Sequence, residues 1–243
     1  MLASAAGALL AGTKYRGDFE QRLKAVLNRR MGDLTVVLEA VDKPHNLSAI
    51  LRTCDAVGAM EAHVVSLPGR PRTFNKTAKG SQKWVPLHPH PSIEDCLSGL
   101  KAKGFRIYGT HLSVDARDYR DCYFTGPSCF LMGAEKWGMS DEALAMVDQP
   151  LFIPMTGMVQ SLNVSVATAT LLFEALRQRE RAGLIPSNGE GIPGGEEAYC
   201  RLLFEWAYPQ VADWCRRQSR PYPPLTEEGE IAEQLPRTLK LRY

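Results

Sequence analysis

LTVVLEAVDKPHNLSAILRTCDAVGAMEAHVVS, residues 34–66, sets the architecture. The β-branched run LTVVLE (34–39) predicts a strand, and NLSAILRTCDAVG (46–58) predicts a helix capped by Asn46 and stopped by Gly58. AHVVS (62–66) predicts a second strand. The alternation continues outward. SIEDCLSGLKAKG (92–104) reads as a helix with Ser92 as its N-cap, acids in its first turn and Gly104 at its end. FRIYGT (105–110), SCFLMG (128–133) and QPLFIP (149–154) read as strands, and SDEALAMV (140–147) as a helix. The run SLNVSVATATLLFEALRQRERAG (161–183) is apolar on nearly every face for four turns and then strongly charged. That predicts a helix buried at its start and exposed at its end. Apolar strands alternating with helices give an α/β fold, a mostly parallel sheet with helices on both faces.

The flanks read differently. Residues 18–30 form a short charged helix, 184–195 a Gly/Pro linker, and 196–218 an aromatic helical stretch broken at Pro209, with a mobile tail from 219 on. The expected organisation is a basic helical extension over 1–30, a main domain over 31–183, and a linker, aromatic and basic helical extension and tail over 184–243.

A chain of 243 residues, 44% hydrophobic and 23% charged, buries about 70% of its unfolded surface without disulfides or metals. No run of 18 apolar residues predicts a membrane span. The opening MLASAAGALLAG has no basic residue before it and reads as a frayed leader rather than a signal peptide. Six cysteines without a C-x-x-C point to reduced thiols in a cytoplasmic protein. The five histidines include no H-E-x-x-H, and His88 and His90 flank a proline in what reads as a solvated loop, so no metal is expected. Net charge is only +2, yet residues 69–84 carry Arg70, Arg72, Lys76, Lys79 and Lys83 and no acid. Such a patch suits a phosphate backbone or is a solvated face.

Chemistry concentrates in three stretches at predicted strand ends, where open α/β sheets bind ligands. In KPHNLSAILRTCDAVG (43–58), Leu47, Ile50, Leu51, Cys54 and Val57 form one helical stripe, and Arg52 points roughly 170° from its centre. Arg52 is then either a solvated arginine or a functional one. In FLMGAEKWGMS (130–140), Gly133 and Gly138 allow close backbone approach, and Glu135 lies between them. In IPMTGMVQSLNVS (153–165), Ser161 and Asn163 open a helix, as a cap or as an anion site. No G-x-G-x-x-G follows a strand, and the stretch from Gly7 to Lys14 lacks the order of a P-loop.

Taken together, the three stretches resemble the signature motifs of the SpoU/TrmH branch of the SPOUT RNA methyltransferases. Asn46 and Arg52 match the first motif, Gly133 and Glu135 the second, and Pro154, Ser161 and Asn163 the third. The resemblance implies a trefoil knot near the C-terminal end of the sheet. It implies S-adenosyl-L-methionine as cofactor, held at Thr110, Gly133, Ile153 and Leu162, and a homodimer whose motif residues complete each site from both subunits. Arg52 is then the catalytic residue, with Asn46, Glu135, Ser161 and Asn163 beside it. The implied reaction is methyl transfer to the ribose 2′-oxygen of a tRNA guanosine, at position 18 of the D-loop. A ribosomal RNA ribose is the alternative substrate, and an RNA-binding relative without activity a third reading. A free guanidinium titrates above about 12, so Arg52 either passes a proton to a nearby phosphate or stabilises the forming alkoxide. Arg22, Arg29, Arg30, Arg177 and Arg179 are expected to grip the tRNA backbone, the last two about 25 Å along the helix from the cofactor.

Overall fold

The nine residues Met31–Glu39 form β1, a strand buried along most of its length as its unbroken apolar run requires. In the computed structural model the chain is described over residues 18–66, 83–134, 137–226 and 230–233. The apolar leader, the basic residues 70, 72, 76 and 79, Glu135 and the last ten residues of the tail lie outside those ranges.

After α1 (residues 18–27) and β1 come α2 (Pro44–Val57), β2 (Ala59–Val65), β3 (Leu87–His90), α3 (Ile93–Ala102) and β4 (Arg106–Thr110). Then follow β5 (Arg117–Asp118), β6 (Ser128–Met132), α4 (Asp141–Ala145), β7 (Gln149–Phe152) and α5 (Val164–Arg181). The seven strands are all parallel and run β3-β2-β1-β6-β4-β7-β5. β6 is inserted between β1 and β4, and β7 between β4 and β5, so the two latest strands open the sheet formed by earlier ones.

Side chains alternate across the sheet. On β1 and β6, Leu34, Val36, Leu38, Phe130 and Met132 share a core with Leu47, Ile50, Leu51, Leu171 and Leu172 of α2 and α5. Val37, Cys129 and Leu131 face the opposite core, with Ile93, Leu97 and Leu100 of α3 and Ala143 of α4. The five-residue stripe expected on α2 is buried as a set.

The caps were harder to read. Gly58 ends α2 in the left-handed region at φ 86°, and Ser92 caps α3 by accepting from the Asp95 N–H at 3.0 Å. Asn46 is not the cap of α2: Lys43 holds that place with Pro44 in the first turn, and Asn46 lies inside the helix, buried. Ser161 is not the cap of α5 either. Asn163 is, with its side-chain oxygen accepting from the Ser165 N–H at 2.9 Å. β3 and β5 carry no apolar run, and LHPH is an edge strand that tolerates Pro89, where a loop was expected.

By backbone contact, Arg30–Pro186 forms one compact unit. The described residues up to Arg29 and from Ser187 on form another. In that second unit α6 (Gly195–Ala207) meets α7 (Pro209–Arg217) at Tyr208, with Pro209 starting the new helix. Phe204, Tyr208, Val211 and Cys215 make its core. The tail expected to be mobile is partly folded there: Tyr222 stacks on Phe204 at 4.8 Å and donates to Glu205, and Leu225 pairs with Ile231.

Candidate active site

The carboxyl ends of β4, β6 and β7 open on a cleft of about 860 Å³. Thr110 ends β4, Gly133 follows β6 and Ile153 follows β7, and all three line it together with Ser161 and Leu162. Four positions expected to hold the cofactor thus meet in one wall. Main chain and small or aliphatic side chains make most of that wall, including Leu151, Val164 and Ala167.

The loop after β6 is closed by its own backbone. Ala134 and Gly138 exchange both N–H···O=C bonds, at 2.9 and 2.8 Å. Gly138 sits at φ 71°, and a Cβ on Gly133 would stand 2.3 Å from the carbonyl carbon of Gly138. Glycine is therefore required at both places for separate reasons, one conformational and one steric. Just beyond, buried Glu39 at the end of β1 accepts from the Ser140 N–H at 2.9 Å and from its hydroxyl at 2.6 Å. Sequence reasoning passed over Glu39, which lies 101 residues from its partner.

A side-chain hydrogen bond joins the first and third motifs. The Asn163 amide donates to the Asn46 side-chain oxygen at 3.1 Å, while the Asn163 oxygen caps α5. This bond ties the N-cap of α5 to the first turn of α2. Asn46, Asn163 and Arg52 are not among the residues that wall the cleft. Arg52 stands on the exposed side of α2 and forms no hydrogen bond or ion pair with the described residues. Two residues on, the Cys54 thiol faces the opposite way into the core, where burial pushes its pKa up to about 12.

Two of the five arginines expected to meet RNA phosphates are corrected by their surroundings. Arg179 is 1% exposed, and its guanidinium donates to the Phe124 and Gly126 carbonyls at 3.0 and 2.7 Å while pairing with Asp33. Arg30 is equally buried and is held by Asp55 and by the Ala59 carbonyl at 3.0 Å. Both sides of each group are committed inside the fold, so neither can reach a phosphate. Arg22, Arg29 and Arg177 remain exposed, and Arg177 is paired with Glu174 one turn back. The helix α5 also departs from expectation at its start, where Val166 and Phe173 are about half exposed.

The SpoU rRNA Methylase family model matches residues 33–173, and the model of the C-terminal region of SpoU rRNA methylases matches 177–234. The chain is 59% identical over 186 residues to the tRNA (guanosine(18)-2′-O)-methyltransferase of Thermus thermophilus, covering 76% of this chain and 94% of that protein. It is similar to the crystal structure of the Aquifex aeolicus TrmH/SpoU tRNA modifying enzyme, with a TM-score of 0.71 and 38% identity over 81% of this chain and 98% of that one. It is also similar to the SpoU methyltransferase AviRb from Streptomyces viridochromogenes in complex with AdoMet, with a TM-score of 0.55 and 28% identity over 63% and 62%.

Proposed function

The chain belongs to the SpoU rRNA methylase family, and from that membership we infer that it transfers the methyl group of S-adenosylmethionine to the ribose 2′-oxygen of guanosine 18 in tRNA. One observation supports this reading most: the ends of β4, β6 and β7 place Thr110, Gly133, Ile153 and Leu162 around a single cleft.

The cleft fits the cofactor. Its volume lies within the roughly 300–1,000 Å³ of small-molecule sites. The steric need for glycine at 133 leaves the backbone there bare for hydrogen bonding to a ligand. When bound, S-adenosylmethionine supplies an electrophilic methyl group, so the protein has mainly to align a ribose hydroxyl and make it nucleophilic. Ser161, on the wall of the cleft, orients the incoming ribose and phosphate. Asn163 and Asn46 hold the start of α5 and the face of α2 in register with it. Arg52 carries the catalysis: a guanidinium keeps its charge at working pH, so it stabilises the forming alkoxide while the proton leaves through an RNA phosphate. Glu135, between the two glycines in sequence, is the remaining member of the motif set.

Two further parts belong to the proposal. A trefoil knot in the segment around β7 and α5 accords with the insertion of β6 and β7 between earlier strands. A homodimer accords with the exposure of Trp137, Met158, Val166 and Phe173, and completes each site by bringing motif residues from both copies. Residues 1–30 and 184–243 then serve as RNA-gripping extensions through Arg22 and Arg29, with Arg177 on α5. Among the described residues no helix is long and apolar enough to cross a membrane, and a cytoplasmic place is part of the proposal by likeness to the bacterial tRNA methyltransferases.

The test is direct. Incubation with labelled S-adenosylmethionine and unmodified tRNA is expected to place about one methyl group per tRNA, mapped to guanosine 18 by nuclease digestion and mass spectrometry. A methyl group found only in ribosomal RNA would move the assignment to that substrate. No incorporation into either RNA would leave a binding protein without activity.

A further inference from the structure

Far from the cleft along the sheet, the edge formed by β2 and β3 gathers polar side chains that the methyl-transfer reading does not use. In the parallel register His63 lies beside His88 and Val65 beside His90. Glu61, His63, His88 and His90 therefore share one face, the face covered by α3. Cys96 belongs to the buried stripe of α3, with Ile93, Leu97 and Leu100.

His63 Nδ1 and His90 Nε2 stand 3.0 Å apart, and His63, His90 and Cys96 each bring one ligand atom within 4.8 Å of the other two. Tetrahedral zinc with bonds of about 2.0–2.1 Å to nitrogen and 2.3 Å to sulfur separates its ligand atoms by about 3.3–3.6 Å. The nitrogen pair already has nearly that spacing, and a side-chain rotation of Cys96 closes the rest. The other nitrogen of His63 supplies a second, independent observation. His63 is 4% exposed, and its Nε2 lies 3.5 Å from Glu61 Oε1 without a well-formed hydrogen bond. A carboxylate behind the far nitrogen of an imidazole is the usual support of a metal-bound histidine, because it fixes the tautomer and presents the other nitrogen as a lone pair.

We propose that His63, His90 and Cys96 bind one divalent transition-metal ion of the zinc type, with Glu61 orienting His63 and solvent completing the coordination. Cys96 binds as thiolate, its proton passing to the buffer. Borderline-soft nitrogen and sulfur donors select zinc or cobalt over magnesium or calcium. The ion joins β2, the edge strand β3 and α3. Sequence spacing hides the site, since its ligands come from two strands and a helix rather than from a C-x-x-C or H-x-x-x-H run.

The probe is Co²⁺, titrated into the full chain after dialysis against a chelator. The expected result is one equivalent bound, with a thiolate-to-cobalt charge-transfer band that Zn²⁺ abolishes. Cys96→Ser is expected to remove the band and weaken binding at least about 100-fold, and Glu61→Gln to weaken it about 10-fold. Cys200→Ser, at an exposed thiol elsewhere, should leave both unchanged. His90→Asn, on a half-buried edge strand, tests the site without disturbing the core, and circular dichroism checks that each variant is folded. Absence of the charge-transfer band in the unaltered protein overturns the proposal, leaving a plain His63–His90 hydrogen bond. So does a band that survives in folded Cys96→Ser or His90→Asn.

Discussion

Arg52 and Arg179 are both long cations on amphipathic helices, and they have opposite fates. Arg179 gives its donors to two loop carbonyls and to Asp33, and is sealed from solvent. Arg52 stands in water with its fork open. The buried arginine closes the loop over residues 122–126 onto β1 and α5, with Gln178 beside it accepting from the Phe124 N–H and donating to the Cys122 carbonyl. What separates structure from function here is whether the local fold already supplies acceptors, and helical periodicity carries no information on that.

Substitution at Arg52 should have the largest effect, and only on catalysis. Arg52→Lys keeps the charge and loses the planar fork. Its kcat is expected to fall about 10²–10³-fold, the range seen when one charge-stabilising donor is removed. Cofactor affinity by calorimetry and the melting temperature should not move. Near-normal turnover would show that charge alone suffices.

Arg179→Met should produce the mirror image. It leaves the Phe124, Gly126 and Asp33 carbonyls without their partner, at a cost of about 3 kcal/mol. For a chain of this size that is a fall of about 10 °C in Tm. Methylation per folded molecule should stay within about twofold, since a methionine fills the same space without touching the cleft. A specific loss of tRNA binding at unchanged Tm would contradict the internal role.

Between these extremes lies Gly133→Ala, where the added Cβ meets the Gly138 backbone at 2.3 Å. Overpacking of this kind costs about 1–3 kcal/mol. It should appear as cofactor binding weakened roughly 10- to 100-fold in calorimetry, with smaller effects on Tm. The smallest effect is expected from Arg22→Ala. One lost phosphate contact should flatten the log–log salt dependence of tRNA binding by about one unit and leave cofactor binding unchanged.

Legibility followed the same division between what is local and what is not. The stripe of α2, the Gly58 stop and the apolar strands β1, β4 and β6 were readable because each is decided within about fifteen residues. The caps at Asn46 and Ser161 were misread, although both residue types suit caps. Asn46 is drawn into α2 by Pro44 at its first turn and by its bond to Asn163. β3 and β5 escaped notice because edge strands this short need no apolar alternation. The burial of Arg179 was unreadable, since its acceptors are main-chain carbonyls more than fifty residues away. The resemblance singles out Thr110, Gly133, Ile153 and Leu162, and these four line one cleft, whereas Glu39 and its hold on Ser140 left no trace in spacing.

The bond between Asn163 and Asn46 spans 117 residues. It has a consequence for how the molecule comes into being. At about 5–20 residues per second, a ribosome that has just made α2 needs on the order of ten seconds more to make the cap of α5. Early in that interval β1 has β2 beside it but not yet β6, and to its end the apolar side of α2 has no α5 to meet. A nascent chain of this topology, rich in distant contacts, is slow to close and open to wrong pairings while it waits. The helix α2 is thus among the first parts synthesised and among the last to be seated, which makes folding inside the cell, more than the chemistry of the finished site, the step most exposed to chaperones.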